Sequence, residues 1–192
     1  MRIIAGSARG RKLAALGDRD IRPTLDRVKE SFFNQVGPYL DGLNFLDLFA
    51  GSGSMGLEAL SRGAERVVFV EQNSEARRLI LDNLKRCGFV NEDAEGSGNR
   101  WRLVAGDALS VLDILSKGPD RFDLLYVDPP FSKGLYGPCL TKIAHSGILN
   151  EGAFVVTESH RKEELLGNYD TLSLFKERRL GDTRLSFFSL SS

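Results

Sequence analysis

Leu46-Asp47-Leu48-Phe49-Ala50-Gly51-Ser52-Gly53-Ser54-Met55-Gly56 is the stretch that decides how this 192-residue chain folds. A buried-strand pattern (residues 45–49) breaks into glycines and small residues, and a helical pattern follows through about residue 62. A strand, a tight glycine turn and a helix make the first half of a βαβ unit. In such a unit the backbone approaches a ligand closely, and the helix N-terminus favours polar or anionic groups.

The same beat continues outward. Strand-like runs at 66–71, 101–104, 122–127 and 153–157 alternate with helical stretches at 74–86 and 108–117, the former stopped by Gly88. The run at 122–127 is almost wholly apolar, as a central parallel strand buried on both faces must be. Two last runs, 172–175 and 185–190, are joined through Gly181-Asp182 and predict an antiparallel hairpin. The expectation is a mostly parallel, seven-stranded α/β sheet of Rossmann-like order, with helices on both faces and a C-terminal antiparallel hairpin. Upstream, runs 2–5 and 11–15 around Gly6-Ser7-Ala8-Arg9-Gly10 read as a β-hairpin. Residues 25–35 repeat Leu25, Val28, Phe32 and Phe33 at helical spacing, with Thr24 as N-cap. The chain thus divides into a basic hairpin-and-helix extension, residues 1–43, and a catalytic domain, residues 44–192. Residues 91–99 read as a loose surface loop.

Composition excludes several classes. A length of 192 residues suits one domain with a sizeable core, and 42% hydrophobic with 27% charged residues is ordinary globular usage. No apolar run approaches the roughly 20 residues of a membrane span, and the first residues do not form a signal segment. Two cysteines, Cys87 and Cys139, fit a reducing cytoplasm, and with two histidines they make a zinc cage improbable. The formal net charge is zero, but residues 1–40 carry eight cations against four acids, leaving the remainder at −4. Arg9, Arg11 and Lys12 stand in a stretch without acids and suit phosphate contacts, although a solvated face has the same composition.

Taken literally, Gly51, Gly53 and Gly56 satisfy the dinucleotide fingerprint, with Glu71 twenty residues beyond Gly51. Two details favour S-adenosylmethionine. Asp47 sits inside the strand just before the loop, where it can meet a cationic amino-acid group rather than a pyrophosphate. Glu71 ends the next strand and can accept both ribose hydroxyls. Asp107 can take the adenine amino group, or simply cap the helix that follows it. With Phe49, Ser52, Gln72 and Ala108, these residues make the expected cofactor set, and no metal is called for.

Asp128-Pro129-Pro130-Phe131 supplies the chemistry. The prolines fix a rigid turn at the tip of a buried strand, where open α/β sheets keep their ligands. An exocyclic amine on a nucleic-acid base is a poor nucleophile because its lone pair is delocalised into the ring. Asp128 and the Pro129 carbonyl can accept its two N–H bonds, while Phe131 stacks on the extruded base. Guanine N2 and adenine N6 present the same two donors, so spacing leaves both open. A nicotinamide-dependent oxidoreductase is a third reading, and a non-catalytic RNA-binding module a weaker fourth.

Residues 1–6 and 9–13, Arg22-Pro23-Thr24, residues 27–34, the glycine loop, residues 56–64, Asp128-Pro129-Pro130-Phe131 and Gly181-Asp182-Thr183 together resemble one family. It is that of the bacterial 16S ribosomal RNA guanine-N2 methyltransferases of class I. The resemblance implies methyl transfer from S-adenosylmethionine, with S-adenosylhomocysteine as product, to one guanine amine. It also implies a partner, 16S rRNA in the small ribosomal subunit or an assembly particle, met by a cytoplasmic, monomeric protein away from membranes. The triplet puts Arg22 and Thr24 with Arg9, Arg11 and Lys12 in the expected RNA set. Tyr136 is read as a lid or surface aromatic, Cys139 and His145 as packing residues, His160 as solvated, and Trp101 as core or rim.

Overall fold

The computed structural model describes residues 1–15, 23–90, 100–131 and 133–191, with no side-chain account of residues 23–25. The elements run α1 (Pro23–Val36), β1 (Asn44–Asp47), α2 (Ser54–Ser61), β2 (Arg66–Glu71), α3 (Ser74–Cys87) and β3 (Trp101–Ala105). They continue with α4 (Ala108–Ser116), β4 (Phe122–Val127), α5 (Tyr136–Ser146), β5 (Leu149–His160), β6 (Asn168–Tyr169), β7 (Leu172–Leu180) and β8 (Thr183–Leu190). One sheet contains all the strands in the order β3-β2-β1-β4-β5-β8-β7-β6. The first five neighbours are parallel, and β8 and β7 add antiparallel. Strand order reverses between β1 and β4, so the sheet has its ligand crevice beyond the carboxyl ends of those two strands.

The α/β architecture with a C-terminal hairpin is as expected, with one addition: the two-residue β6 makes eight strands among the described residues. Four strands are longer than their apolar runs, β3 by Ala105 alone. β5 spans 12 residues because Leu149 already pairs with Phe122 of β4 at its start and β8 pairs with it as far as His160. β7 and β8 extend through Leu180 and Thr183, so the charged segment Lys176-Glu177-Arg178-Arg179 belongs to the ladder.

Two cores cover the sheet. On one face α1, α2 and α3 pack through Phe32, Phe33, Leu57, Ile80 and Leu84, and on the other α4 and α5 pack through Val111, Leu112, Leu140 and Ile143. Gly56 permits the close approach of α2 to β2, since a Cβ there would meet Phe69 Cε1 at 2.2 Å. Gly53 takes φ +77 at the N-terminus of α2, the left-handed conformation that ends the glycine turn. Asn73 caps α3 by accepting from the Glu75 and Ala76 backbone N–H groups, and Gly88 closes that helix at φ +79.

The N-terminal segment forms a single antiparallel bridge, Arg2 to Lys12, rather than two full strands. Its two arms are still joined as a hairpin, by the Ile3 N–H to the Arg11 carbonyl at 3.0 Å, the Gly10 N–H to the Ile3 carbonyl at 2.9 Å and the Leu13 N–H to the Met1 carbonyl at 3.0 Å. Further bonds run to the body, and Ile3, Ala8 and Leu13 are buried in the first core. The Ile4 and Ala5 N–H groups donate to Glu58 at 2.8 and 3.0 Å, and the Ser7 N–H to the Ser61 carbonyl at 2.8 Å. The side chain of Asn83 exchanges two hydrogen bonds with the Ala14 backbone. Thr24 is not the cap of α1. Pro23 occupies the first helical position, where its missing N–H costs nothing, and Thr24 follows inside the helix. Arg22 and residues 91–99 lie outside the described residues.

Candidate active site

Two cavities open at the carboxyl edge of β1, β2 and β4. The first, about 280 Å³, is lined by Leu48, Phe49, Gly51, Val70, Glu71, Gln72, Gly106, Ala108 and the Asp128–Phe131 turn. The second, about 190 Å³, is lined by residues that include Lys29, Asp47, Ser52, Met55, Tyr126 and Glu158. They meet at Phe49, Gly51 and Asp128. Together they fall in the size range of small-molecule sites, roughly 300–1,000 Å³.

Parallel register explains why the carboxylates converge. Asp47 pairs with Tyr126, so both point to the α1–α2 face, and Asp128 follows two residues later on the same side. Asp47 is 2% exposed, and its Oδ2 accepts the Gly56 N–H at 3.0 Å. Burial pushes its carboxyl up to about 7, with Glu71 adding repulsion against the opposing effect of the Gly56 hydrogen bond. Glu71 holds the loop by accepting the Gly51 N–H at 2.8 Å and turns the next segment by accepting the Asn73 N–H at 2.7 Å. Asp128 is raised well above the ordinary carboxylate range by burial, then by the neighbouring Glu158 and Asp47 carboxylates.

The structure gathers most of the residues read from sequence. Phe49, Gly51, Glu71, Gln72, Ala108 and the whole Asp128–Phe131 turn line the first cavity, with Phe131 60% exposed at its rim. Asp47 and Ser52 line the second. Gly53 lines neither and acts in the turn itself. Asp107 lies between two lining residues and accepts the Ser110 N–H at 3.1 Å, which is the capping role. Arg9, Arg11 and Lys12 are exposed on the N-terminal segment, whose Met1 lines the second cavity.

Several side chains differ from their sequence reading. Tyr136 is neither lid nor surface residue: it is buried at the start of α5, and its hydroxyl donates to the Glu158 carbonyl at 2.8 Å. His145 does not pack, because the buried face of α5 is Tyr136, Cys139, Leu140 and Ile143. It is exposed and 3.2 Å from Asp170. His160 is half-buried and its Nδ1 accepts the Lys162 N–H, making it a turn residue rather than a solvated one. Cys139 is a core residue, its thiol pushed up to about 12 by burial. Trp101 packs at the core rim, donating to the Phe89 carbonyl at 3.1 Å.

Sequence reading missed Tyr126, Glu158 and Lys29. Glu158 stands near the carboxyl end of β5 as Asp47 stands at the end of β1 and Asp128 just past β4, and its Oε2 accepts from the Tyr126 hydroxyl. Lys29 is 2% exposed, donates to the Arg2 carbonyl and pairs with Glu58 at 3.3 Å. Among the described residues no cluster of three or more His, Cys, Asp or Glu is arranged to hold a metal. Among them, too, no helix is long and apolar enough to cross a membrane.

Comparison with known proteins places this geometry. Residues 1–189 match the model of the family described as Conserved hypothetical protein 95. Ribosomal RNA small subunit methyltransferase D of Haemophilus influenzae is 36% identical over 181 residues, 94% of this chain and 89% of that protein. Its Escherichia coli (strain K12) namesake is 35% identical over 181 residues, 94% of this chain and 85% of its own length. The solved structure of yhhF from Escherichia coli superposes with a TM-score of 0.80 at 29% identity, covering 100% of this chain and 98% of that one. With a glycine loop after β1, acids at the ends of β1 and β2 and a proline turn after β4, the chain belongs to the Conserved hypothetical protein 95 family and is a class I methyltransferase.

Proposed function

We propose that the protein transfers a methyl group from S-adenosylmethionine to the exocyclic N2 amine of a guanine in small-subunit ribosomal RNA. The observation that carries the reading is the placement of Asp128. It sits where the two cavities meet, so a donor reaching from Glu71 in the first to Asp47 in the second would pass beside it, and a base brought to Asp128 would meet the donor there.

The residues fit the donor. Glu71 at the rim of the first cavity suits a ribose diol, and Asp47 in the second suits an ammonium group. When bound, S-adenosylmethionine supplies an electrophilic methyl group on a sulfonium. The protein's part is positioning, which alone can supply several kcal/mol, roughly 7–11 at best. Asp128 and the Pro129 carbonyl accept the amine hydrogens, turning its lone pair toward the donor. Asp128 then takes the proton that the methylated nitrogen releases. Burial and its acidic neighbours make Asp128 a better proton acceptor than an ordinary carboxylate. Phe131, exposed at the rim, stacks on the base once it leaves its own stack.

Asp47 gives a pH signature. A cationic amino group beside it favours its ionised form, so calorimetric affinity for S-adenosylhomocysteine rises with pH toward about 7 and then levels, with proton release on binding below that point. In the free protein the sign is opposite. The folded carboxyl lies above its unfolded value, so the stability it contributes is full below pH 3.8 and lost as pH rises through about 7. An affinity flat across this window would remove Asp47 from the donor site.

The exposed Arg9, Arg11 and Lys12 are the RNA-gripping part of this proposal. Changing all three to Ala weakens RNA binding and reduces the magnitude of its log–log salt slope by up to about 2, at roughly 0.7 per phosphate contact. Filter-binding titrations from low to high salt measure the slope, and an unchanged slope returns the segment to plain solvated surface. Mass mapping of ribosomal RNA from cells lacking the protein tests the substrate itself. One unmethylated guanine in the small-subunit RNA supports the reading, and an intact methylation pattern refutes it.

A further inference from the structure

We propose that Glu158 is the second acceptor of the base pocket, taking the ring N1–H of guanine while Asp128 takes the adjacent exocyclic N–H. Resting on the guanine reading, it makes Glu158 the residue that separates guanine from adenine. No covalent step is added; the chemistry stays with Asp128 and the donor.

Four observations carry it. Tyr126 pairs with Val156 and Val127 with Thr157, so the same parallel register places Asp128 laterally beside Glu158. Both residues line the second cavity. Glu158 is anchored through Oε2 by the Tyr126 hydroxyl, and its main-chain carbonyl by the Tyr136 hydroxyl at 2.8 Å. Tyr126 is itself fixed edge-on against Phe32, with ring centroids 5.4 Å apart. Finally, no cation among the described residues forms an ion pair with Glu158, and Lys29 in the same cavity pairs with Glu58 instead.

The complementarity is in donors and acceptors. Guanine offers N1–H and N2–H side by side, two donors for two carboxylates. Adenine offers an N6–H beside the unprotonated N1, whose lone pair would face Glu158. A buried acceptor left against another acceptor keeps its desolvation cost without a bond in return. Burial raises the Glu158 carboxyl, and burial with the neighbouring Glu158 carboxylate raises Asp128, so a ligand bringing two N–H donors favours both in their accepting form.

The test compares two bases in each enzyme. Small-subunit RNA is assembled with a synthetic segment bearing guanine or 2-aminopurine at the mapped nucleotide. 2-Aminopurine keeps the exocyclic amine but lacks N1–H. Wild-type enzyme should prefer guanine in kcat/KM by about 10- to 100-fold, the worth of one hydrogen bond to a charged group. Glu158→Ala should lose rate on guanine and bring the preference within about threefold. The ratio is internal to each variant, so altered stability does not mimic it. Should the alanine variant fail to fold, Glu158→Leu, which fills much of the same volume but accepts no hydrogen bond, carries the same comparison. A preference that survives substitution, with both rates falling together or neither changing, overturns the role of Glu158. Wild-type transfer to adenine instead of guanine overturns the guanine reading as well, so the two failures are told apart.

Discussion

Asp128→Ala leaves S-adenosylhomocysteine binding close to the wild-type value and lowers methyl transfer by about 10²- to 10⁴-fold, the usual contribution of a positioned acid–base group. Asp128 borders both cavities but sits beyond the loop and the β2 acid that hold the donor. Its removal takes away the acceptor that orients the amine and receives its proton, while Gly51, Glu71 and Asp47 remain in place. Calorimetry and single-turnover assays separate the two effects. Lost donor affinity, or unimpaired turnover, would show that the amine is activated elsewhere. Asp128→Asn is the finer probe, because its amide oxygen still accepts a hydrogen bond but no longer takes a proton.

Glu58→Ala is expected to destabilise the fold by about 3–5 kcal/mol, the cost of leaving buried charges without their partner. The Glu58 carboxylate is fully buried and serves four donors. Oε1 accepts from Arg62 Nε at 2.9 Å and the Ala5 N–H, while Oε2 accepts from Lys29 Nζ at 3.3 Å and the Ile4 N–H. Without it, the buried Lys29 and Arg62 face each other unneutralised, and the N-terminal segment loses two of its attachments. Urea unfolding with linear extrapolation measures the loss, and trypsin should cut sooner after Arg9 and Arg11. A loss below about 1 kcal/mol would mean that burial of Ile3 and Leu13 and the bonds to Ser61 and Asn83 hold the segment without Glu58. The link to function is direct, because Met1 of that segment lines the second cavity.

Much of this was legible in the sequence because it is encoded locally. A carboxylate within or just past an apolar run that soon breaks into glycine or proline marks the ligand edge of a parallel sheet, which exposed Asp47 and Asp128. Glu158 also follows directly on an apolar run, at 153–157, but was hidden because Ser159 and His160, rather than glycine or proline, come after it. Only pairing with β8 carries that strand on to His160. The charged half of β7 was hidden for a related reason: its ladder partner supplies the strand, whereas its own side chains are mostly solvated. Glu58 and Asn83 looked like ordinary polar helix residues, because their partners lie more than fifty positions away in the first fifteen residues. Asp107 shows the converse, a candidate ligand whose observed bond is the local helix cap.

The most direct test of the account is a transfer assay with a trideuteromethyl donor. Purified protein is incubated with small ribosomal subunits from cells lacking it, and the RNA is digested and mapped by mass spectrometry. The predicted result is one trideuteromethyl group on the N2 amine of a single guanine per subunit, absent with Asp128→Ala. Label on adenine N6 or on a ring atom, or no label in the RNA at all, would contradict it.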